Sequence, residues 1–473
     1  VNWGGINRVG PALELPVTTA RDLSVDLIVI GFGKGGKTLA ATLGRQGRRV
    51  VMVEQSAQMY GGTCINIGCV PTKSMVYQGE HLEAGAPHGE VYRSAVRTTQ
   101  SLTTYLRGQN FAMLDNLETV TVLTGQARFV DDATVVVETA DGAVVRVSAP
   151  HIVIGTGSEP ALPDIPGLAG NPRVVTSTDL LVAPDLPARL VVLGGGYVGL
   201  EFAAMFANYG SKVTVLEKHD HILGAEDDDI AAGVAEVLTE AGVELLTGAR
   251  VGEIRGGTVQ FVHDGEVATI DADLILVALG RRPVTGGLAL DKAGVAVRED
   301  GSVIVDEHLR TSRSHIFAVG DVNGGPQFTY ISLDDYRIVL DQLDGPGRRS
   351  TADRVAVPYS LFVTPPLSRA GLTEKAARTA GHRVKVATMR VADMATVPRA
   401  RIVGDPRGLM KAVVDADTDA ILGVALLSHD SHEVINTVAL AMRHGITATQ
   451  LRDEIYTHPS MTEAFNQLLG ALH

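Results

Sequence analysis

Val25-Asp-Leu-Ile-Val-Ile-Gly31-Phe-Gly33-Lys-Gly-Gly36 reads as a buried strand that breaks into a glycine-rich turn, and the pattern returns as Arg189-Leu-Val-Val-Leu-Gly194-Gly-Gly196-Tyr-Val-Gly199. Both copies close on an apolar strand ending in glutamate, Val50-Val-Met-Val-Glu54 and Val213-Thr-Val-Leu-Glu217. Their offsets agree: 194 − 31 = 163 and 217 − 54 = 163. Each carries a small residue, Ala40 or Ala203, in the intervening helical stretch. In such a unit the glycines allow a tight turn and close approach to a pyrophosphate, the helix start attracts its charge, and the acid accepts from a ribose hydroxyl. One copy is a weak signal. Two matched copies predict two dinucleotide sites, with Gly31, Gly33, Gly36 and Glu54 in one and Gly194, Gly196, Gly199 and Glu217 in the other.

A competing pattern overlies the first copy. Gly31 to Gly36 followed by Lys37-Thr38 also fits the phosphate loop of nucleotide hydrolases. Those enzymes need a strand ending in aspartate to hold magnesium. Leu274-Ile-Leu-Val-Ala-Leu-Gly280 ends in glycine instead, and Glu54 stands where a ribose acceptor belongs.

The chain's two cysteines lie together in Gly61-Gly-Thr-Cys64-Ile-Asn-Ile-Gly-Cys69-Val-Pro-Thr-Lys73. On a straight helix five residues rise about 7.5 Å, whereas a disulfide needs Cα atoms roughly 5.5–6 Å apart. Closing the pair requires a broken or tightened turn, which Gly68 and the Gly61-Gly62 entry permit. Two core thiols, or two ligands of a metal site, are the competing readings; a structural zinc site wants four ligands, and a second cysteine pair is missing.

With 473 residues the chain needs more than one core. A net charge of −13 argues against tracking a nucleic-acid backbone. Neither a membrane-length apolar run nor a basic-then-apolar leader is present, so a cytoplasmic protein without a membrane or nucleic-acid partner is expected. There a disulfide is more often catalytic than structural.

The thirteen-residue cysteine string resembles the redox-active motif of the class I pyridine nucleotide-disulfide oxidoreductases, which include dihydrolipoamide dehydrogenase, glutathione reductase and mercuric reductase. The resemblance runs from about Val25 to the carboxyl terminus. It implies an α/β protein with two Rossmann-like domains for FAD and NAD, each a three-layer ββα fold, and an α+β carboxyl-terminal dimerisation domain. The implied division is a disordered extension over 1–24, a first FAD-binding part with the redox disulfide over 25–160, an NAD-binding domain over 161–285, a second FAD part over 286–355 and the dimerisation domain over 356–473.

Site residues follow from the same resemblance. FAD falls to the first glycine turn and Glu54, to Gly62, Thr63 and Lys73, to Thr156-Gly157 after the strand Ile152-Val-Ile, and to Gly320-Asp321, whose acid matches the ribityl ligand. NAD falls to the second turn, and Glu217 favours NADH over NADPH. Cys69 is the thiol next to the flavin and Cys64 the interchange thiol, with Lys73 paired to Glu201 beside the nicotinamide. His458-Pro-Ser460-Met-Thr-Glu463 resembles the family's acid–base element, which in relatives reaches into the partner subunit's site; Ser460 replaces the usual threonine. By residue type alone that stretch is also a helix start.

Met59 to Cys69, Gln327 to Arg337, Thr364-Pro-Pro-Leu-Ser-Arg369 and Leu451 to Met461 look closer still to one branch, the bacterial reactive-chlorine-resistance flavoproteins, described as copper(II) reductases. The branch implies a metal-ion acceptor, stress defence, and Cys64 and Cys69 as transient copper ligands. Mercuric reductase is disfavoured by the missing second cysteine pair. Dihydrolipoamide dehydrogenase is the alternative, and a non-catalytic flavin sensor or scaffold is opposed by the presence of both cysteines, His458 and Glu463. Three further features read blandly. His429-Asp-Ser-His432-Glu433 is a helix start rather than a metal site, Glu226-Asp-Asp-Asp229 is a first-turn charge pattern, and Met59 and Met75 are core filler.

Overall fold

In a computed structural model, residues 21–82 and 85–473 are described. They form two compact units.

The first unit comprises 21–60, 110–157 and 284–339. Its eight-stranded sheet runs in the order Arg21–Ser24, Val144–Ser148, Thr134–Thr139, Val120–Phe129, Val50–Glu54, Leu27–Ile30, Ile152–Ile154 and Ile316–Ala318. The last five strands are parallel neighbours. Val50–Glu54, Leu27–Ile30, Ile152–Ile154 and Ile316–Ala318 are buried throughout and read as near-continuous apolar runs, whereas Val120–Phe129 mixes buried and exposed positions. Val120–Phe129 serves twice, pairing through Val120–Thr124 with the parallel strands and through Gly125–Phe129 with an antiparallel meander. Ile28, Ile30, Val51, Val53, Ile152 and Ile316 share one core with Val135 and Val147 of that meander.

The extension expected over 1–24 lies outside the described residues up to 20. Arg21–Ser24 correct it, forming an edge strand parallel to Val144–Ser148. Leu23 packs on the core while its neighbours face solvent, and one inward side chain is too short a pattern to read as a strand.

The second unit comprises 61–109, with 83–84 outside the described residues, 158–283 and 340–473. A five-stranded parallel sheet runs Val243–Leu246, Lys212–Leu216, Arg189–Leu193, Leu274–Val277, Val174–Val175, joined by an antiparallel ribbon over Arg250–Asp271. The same sheet-plus-ribbon plan therefore occurs in both units. The offset of 163 even carries the helix Lys34–Arg45 onto the helix Tyr197–Asn208. A second, antiparallel sheet runs Tyr359–Leu361, Leu367–Gly371, Ile421–Leu427, Leu409–Asp415, Val384–Arg390.

This grouping differs from the expected division. The cysteine-bearing stretch, expected with the first nucleotide fold, joins the second unit because Met75, Val76, Tyr92 and Val96 bury their side chains against Leu200, Phe206 and Tyr209. Contacts spaced more than a hundred residues apart leave no local pattern to read.

Candidate active site

Gly31 and Gly194 take φ of 101° and 109°, where side chains are strained. A Cβ there would meet Gly155 O at 2.2 Å or Ala278 O at 2.6 Å. Gly33 and Gly196 differ. A Cβ on Gly33 would come no nearer than 3.5 Å to another group, and one on Gly196 would meet nothing within 4 Å. Protein leaves that space clear, as a pyrophosphate on the helix amides requires. The residues fit a dinucleotide at both turns.

The glutamates do more than the sequence suggested. Glu54 Oε2 accepts from Phe32 N at 2.9 Å and Glu217 Oε2 from Gly195 N at 2.7 Å. Their other oxygens accept from Ser56 N at 3.4 Å and His219 N at 2.9 Å. Since 195 − 32 = 163 and 219 − 56 = 163, the repeat persists down to single hydrogen bonds. Each acid braces its own turn through two backbone N–H groups. Burial pushes the Glu54 carboxyl above the usual carboxylate range, against the pull of these N–H groups.

Around the rest of the expected FAD site, Thr156 Oγ1 donates to Val284 O at 2.6 Å, and Gly157, at φ 72°, accepts from Val284 N. Gly320 N donates to Asp335 Oδ2 at 2.6 Å, so a buried aspartate fixes the turn that presents Asp321. Sequence reasoning missed Asp335, although a signal existed: it interrupts the buried helical stripe Ile331, Ile338, Val339. Lys37, central to the phosphate-loop alternative, is buried in the first helical turn and donates to Asn110 Oδ1.

The cysteine segment breaks as its glycines predict. Gly61 and Gly62 take φ of 99° and 75°, and the helix Gly62–Asn66, which carries Thr63 and Cys64, ends at Ile67. Gly68 then caps a new helix, Cys69–Glu80. Asn66 bonds Gly62 O at 2.9 Å and receives Arg107 Nε at 2.8 Å, which holds the short helix. Cys64 is half-buried and Cys69 exposed.

Lys73 lies one turn beyond Cys69 on the same helix face. Its ammonium meets Glu201 Oε2 at 2.7 Å and sits over the Phe362 ring, 4.6 Å from the centroid. Phe362 N donates to Glu201 Oε1 at 2.9 Å. The nearly buried glutamate is thus satisfied on both oxygens, and Phe362, unforeseen from sequence, serves both members of the pair.

His458 Nδ1 and Glu463 Oε2 are 2.8 Å apart, which turns Nε2 outward. The imidazole is 67% exposed and the carboxylate 12%. Ahead of the helix Ala464–Leu468, Ser460 N donates to Glu463 Oε1 at 3.1 Å and Glu463 N donates to Ser460 Oγ at 3.4 Å. Elsewhere, His429 pairs with Asp430 at 3.2 Å, and the His432 ring packs on Phe362. Among the described residues, no three His, Cys, Asp or Glu side chains gather as a metal site. Met75 is core.

The acidic run needs correction. Helix Asp228–Glu240 begins after Glu226 and Asp227, which are buried. Glu226 Oε2 accepts from Arg369 Nε at 2.6 Å, and its Oε1 accepts from the hydroxyls of Tyr359 at 2.7 Å and Tyr197 at 3.0 Å. Lys411 Nζ lies 3.5 Å from Asp227 and 2.9 Å from both Asp229 and Glu374. Burial and the nearby Glu226 charge drive both tyrosine hydroxyls far above their usual range. Stripping one partner from such a buried pair costs about 3–5 kcal/mol. The run joins the parallel sheet's domain to the carboxyl-terminal sheet.

The family model described as pyridine nucleotide-disulphide oxidoreductase matches residues 25–335, and the dimerisation domain of the same family matches 357–469. A probable pyridine nucleotide-disulfide oxidoreductase of Escherichia coli K12, RclA, is 47% identical over 443 residues, 94% of this chain and 98% of its own. A mercuric reductase of Lysinibacillus sphaericus is 34% identical over 452 residues, 93% of this chain and 81% of its own. A solved structure, the Cu(II) complex of HOCl-induced flavoprotein disulfide reductase RclA from Escherichia coli, matches with a TM-score of 0.89 at 46% identity, over 94% of this chain and 99% of that one. No helix of the described residues is long and apolar enough to cross a membrane. Matched through its nucleotide folds and its carboxyl-terminal domain alike, the chain belongs to the pyridine nucleotide-disulfide oxidoreductases, FAD-dependent enzymes that use NAD(P)H.

Proposed function

We propose that this enzyme passes electrons from NADH through FAD and the Cys64–Cys69 pair to copper(II). It works in a cytoplasmic defence against reactive chlorine, as a homodimer whose sites draw on both subunits. The observation that carries the acceptor is the likeness to an HOCl-induced flavoprotein solved with Cu(II).

Copper enters as substrate. FAD, when bound, supplies two-electron exchange between nicotinamide and dithiol; the chain's residues do the rest. Lys73, one turn from Cys69 on the same helix, is held by Glu201 at 2.7 Å. Two thiolates make a soft site suited to Cu(I). As the Cys64–Cys69 bond re-forms, two electrons leave on two Cu(II), giving two Cu(I), and the thiol protons are released. His458, oriented by Glu463, is the proton carrier. Its exposure supports the reading that the partner subunit's His458 completes the site. Thiolates of this kind are also those that hypochlorous acid oxidises first.

The test is anaerobic NADH oxidation with copper(II), following Cu(I) with a chelating dye, in wild type and Cys64→Ser. Turnover should collapse in the variant. Lipoamide reduced orders of magnitude faster than copper(II) would make the chain a dihydrolipoamide dehydrogenase and sink the copper reading.

A further inference from the structure

We infer that Tyr359 and Glu226 are positioning residues for the nicotinamide nucleotide, acting through Tyr197, the first residue of the helix after the second glycine turn. One carboxylate oxygen, Glu226 Oε1, accepts from both phenols, at 2.7 Å from Tyr359 and 3.0 Å from Tyr197. The rings meet edge-on, with centroids 5.7 Å apart and planes at 84°. The other oxygen is held by buried Arg369 at 2.6 Å. Rotating Tyr197 away would take one of two donors from Glu226 Oε1, whose side chain is fully buried.

A second anchor lies one turn along. Glu201 is four residues beyond Tyr197 and so shares its helix face; its Oε1 accepts from Phe362 N at 2.9 Å. Tyr359 begins the strand Tyr359–Leu361 and Phe362 follows it. One short strand of the carboxyl-terminal sheet therefore grips a single face of the helix Tyr197–Asn208 at two points. A pyrophosphate at the start of that helix brings the nicotinamide half within reach of its first-turn side chains, beginning with Tyr197. Neither glycine turn nor cysteine motif accounts for this clamp. Its outer members, Tyr359 and Arg369, come from a sheet that holds no nucleotide turn.

The inference rests on the second turn taking NAD(P)H, and the two can fail separately. If that reading were wrong, wild-type holoenzyme would neither bind NAD⁺ nor bleach its flavin with NADH. The positioning claim is tested on a wild type that does both. Tyr359→Phe and Tyr197→Phe each remove one hydroxyl and keep the ring. NAD⁺ affinity of the oxidised holoenzyme is read by calorimetry, NADH-driven bleaching by stopped flow, and reoxidation of pre-reduced enzyme by copper(II) separately, with melting temperature as the folding control. Each variant should bind NAD⁺ about two- to tenfold more weakly, the loss of one hydrogen bond, with reoxidation at the wild-type rate. The double variant should be no worse than the worse single, because both act through Glu226. Unchanged NAD⁺ binding with a lowered melting temperature would make the trio a plain staple and overturn the inference. So would tighter binding, additive losses, or bleaching and reoxidation that fall together.

Discussion

Glu217 accepts backbone N–H groups from Gly195 and His219, so its charge is fixed at the end of its strand. A 2′-phosphate there would face that carboxylate, with Lys218 the one adjacent cation. NADH should therefore give the higher kcat/KM, and a higher value with NADPH would overturn the assignment. Cys69 supports a second prediction. Two-electron reduction should raise the long-wavelength absorbance of a thiolate beside oxidised flavin, and Cys69→Ser should remove it; survival of the band would place the flavin-side thiol elsewhere. The helix break before Cys69 and the contact between His458 and Glu463 were legible because each is set by residues within a few positions of one another. Phe362 and Asp335 were not. Phe362 meets Glu201 across 161 positions, and nothing local marks a phenylalanine as the holder of a distant carboxylate.

The helix interrupted at Ile67–Gly68 shows an element whose irregularity the sequence announced, since glycines stand where the turn departs from helix. The segment Glu226–Asp229 shows the reverse: by composition it is a solvated helix start, yet its first two residues precede the helix and are buried. Only their partners, Arg369 and Lys411, explain them, and these come from another sheet. In that sheet the strand Leu409–Asp415 ends on a carboxylate that accepts from His382 at 2.8 Å and from Thr418. These bonds hold Asp415 at about 2, below its usual 3.8. A lowered carboxyl pKa stabilises the folded state above the unfolded value, and the contribution is lost as pH falls from 3.8 through about 2. Asp415→Asn should melt below wild type at neutral pH, with the gap closing across that acid window. A gap constant with pH would refute the linkage.

At the scale of the whole molecule, the shared-site proposal has an arithmetic consequence. On that proposal Cys64→Ser and His458→Ala subunits should each be inactive as homodimers. A mixed dimer would pair the intact cysteines of one subunit with the intact histidine of the other, restoring one site of two. Random mixing makes half the dimers mixed, so about a quarter of wild-type activity should return. No recovery after verified subunit exchange would confine each site to one chain. The duplicated fold was the most legible feature at this scale, since two glycine turns and two glutamates keep a constant spacing; the grouping of 61–109 with the second unit was hidden in side-chain packing. The bracing of each glutamate against its own turn reaches beyond architecture. FAD and NADH share an adenosine diphosphate end, and the two turns proposed to take them carry the same glutamate bracing, so on that proposal this end alone cannot tell one from the other. Free ADP should consequently be a competitive inhibitor towards NADH and not towards the electron acceptor. A drug aimed at this enzyme would have to earn its selectivity from the opposite end of the nucleotide.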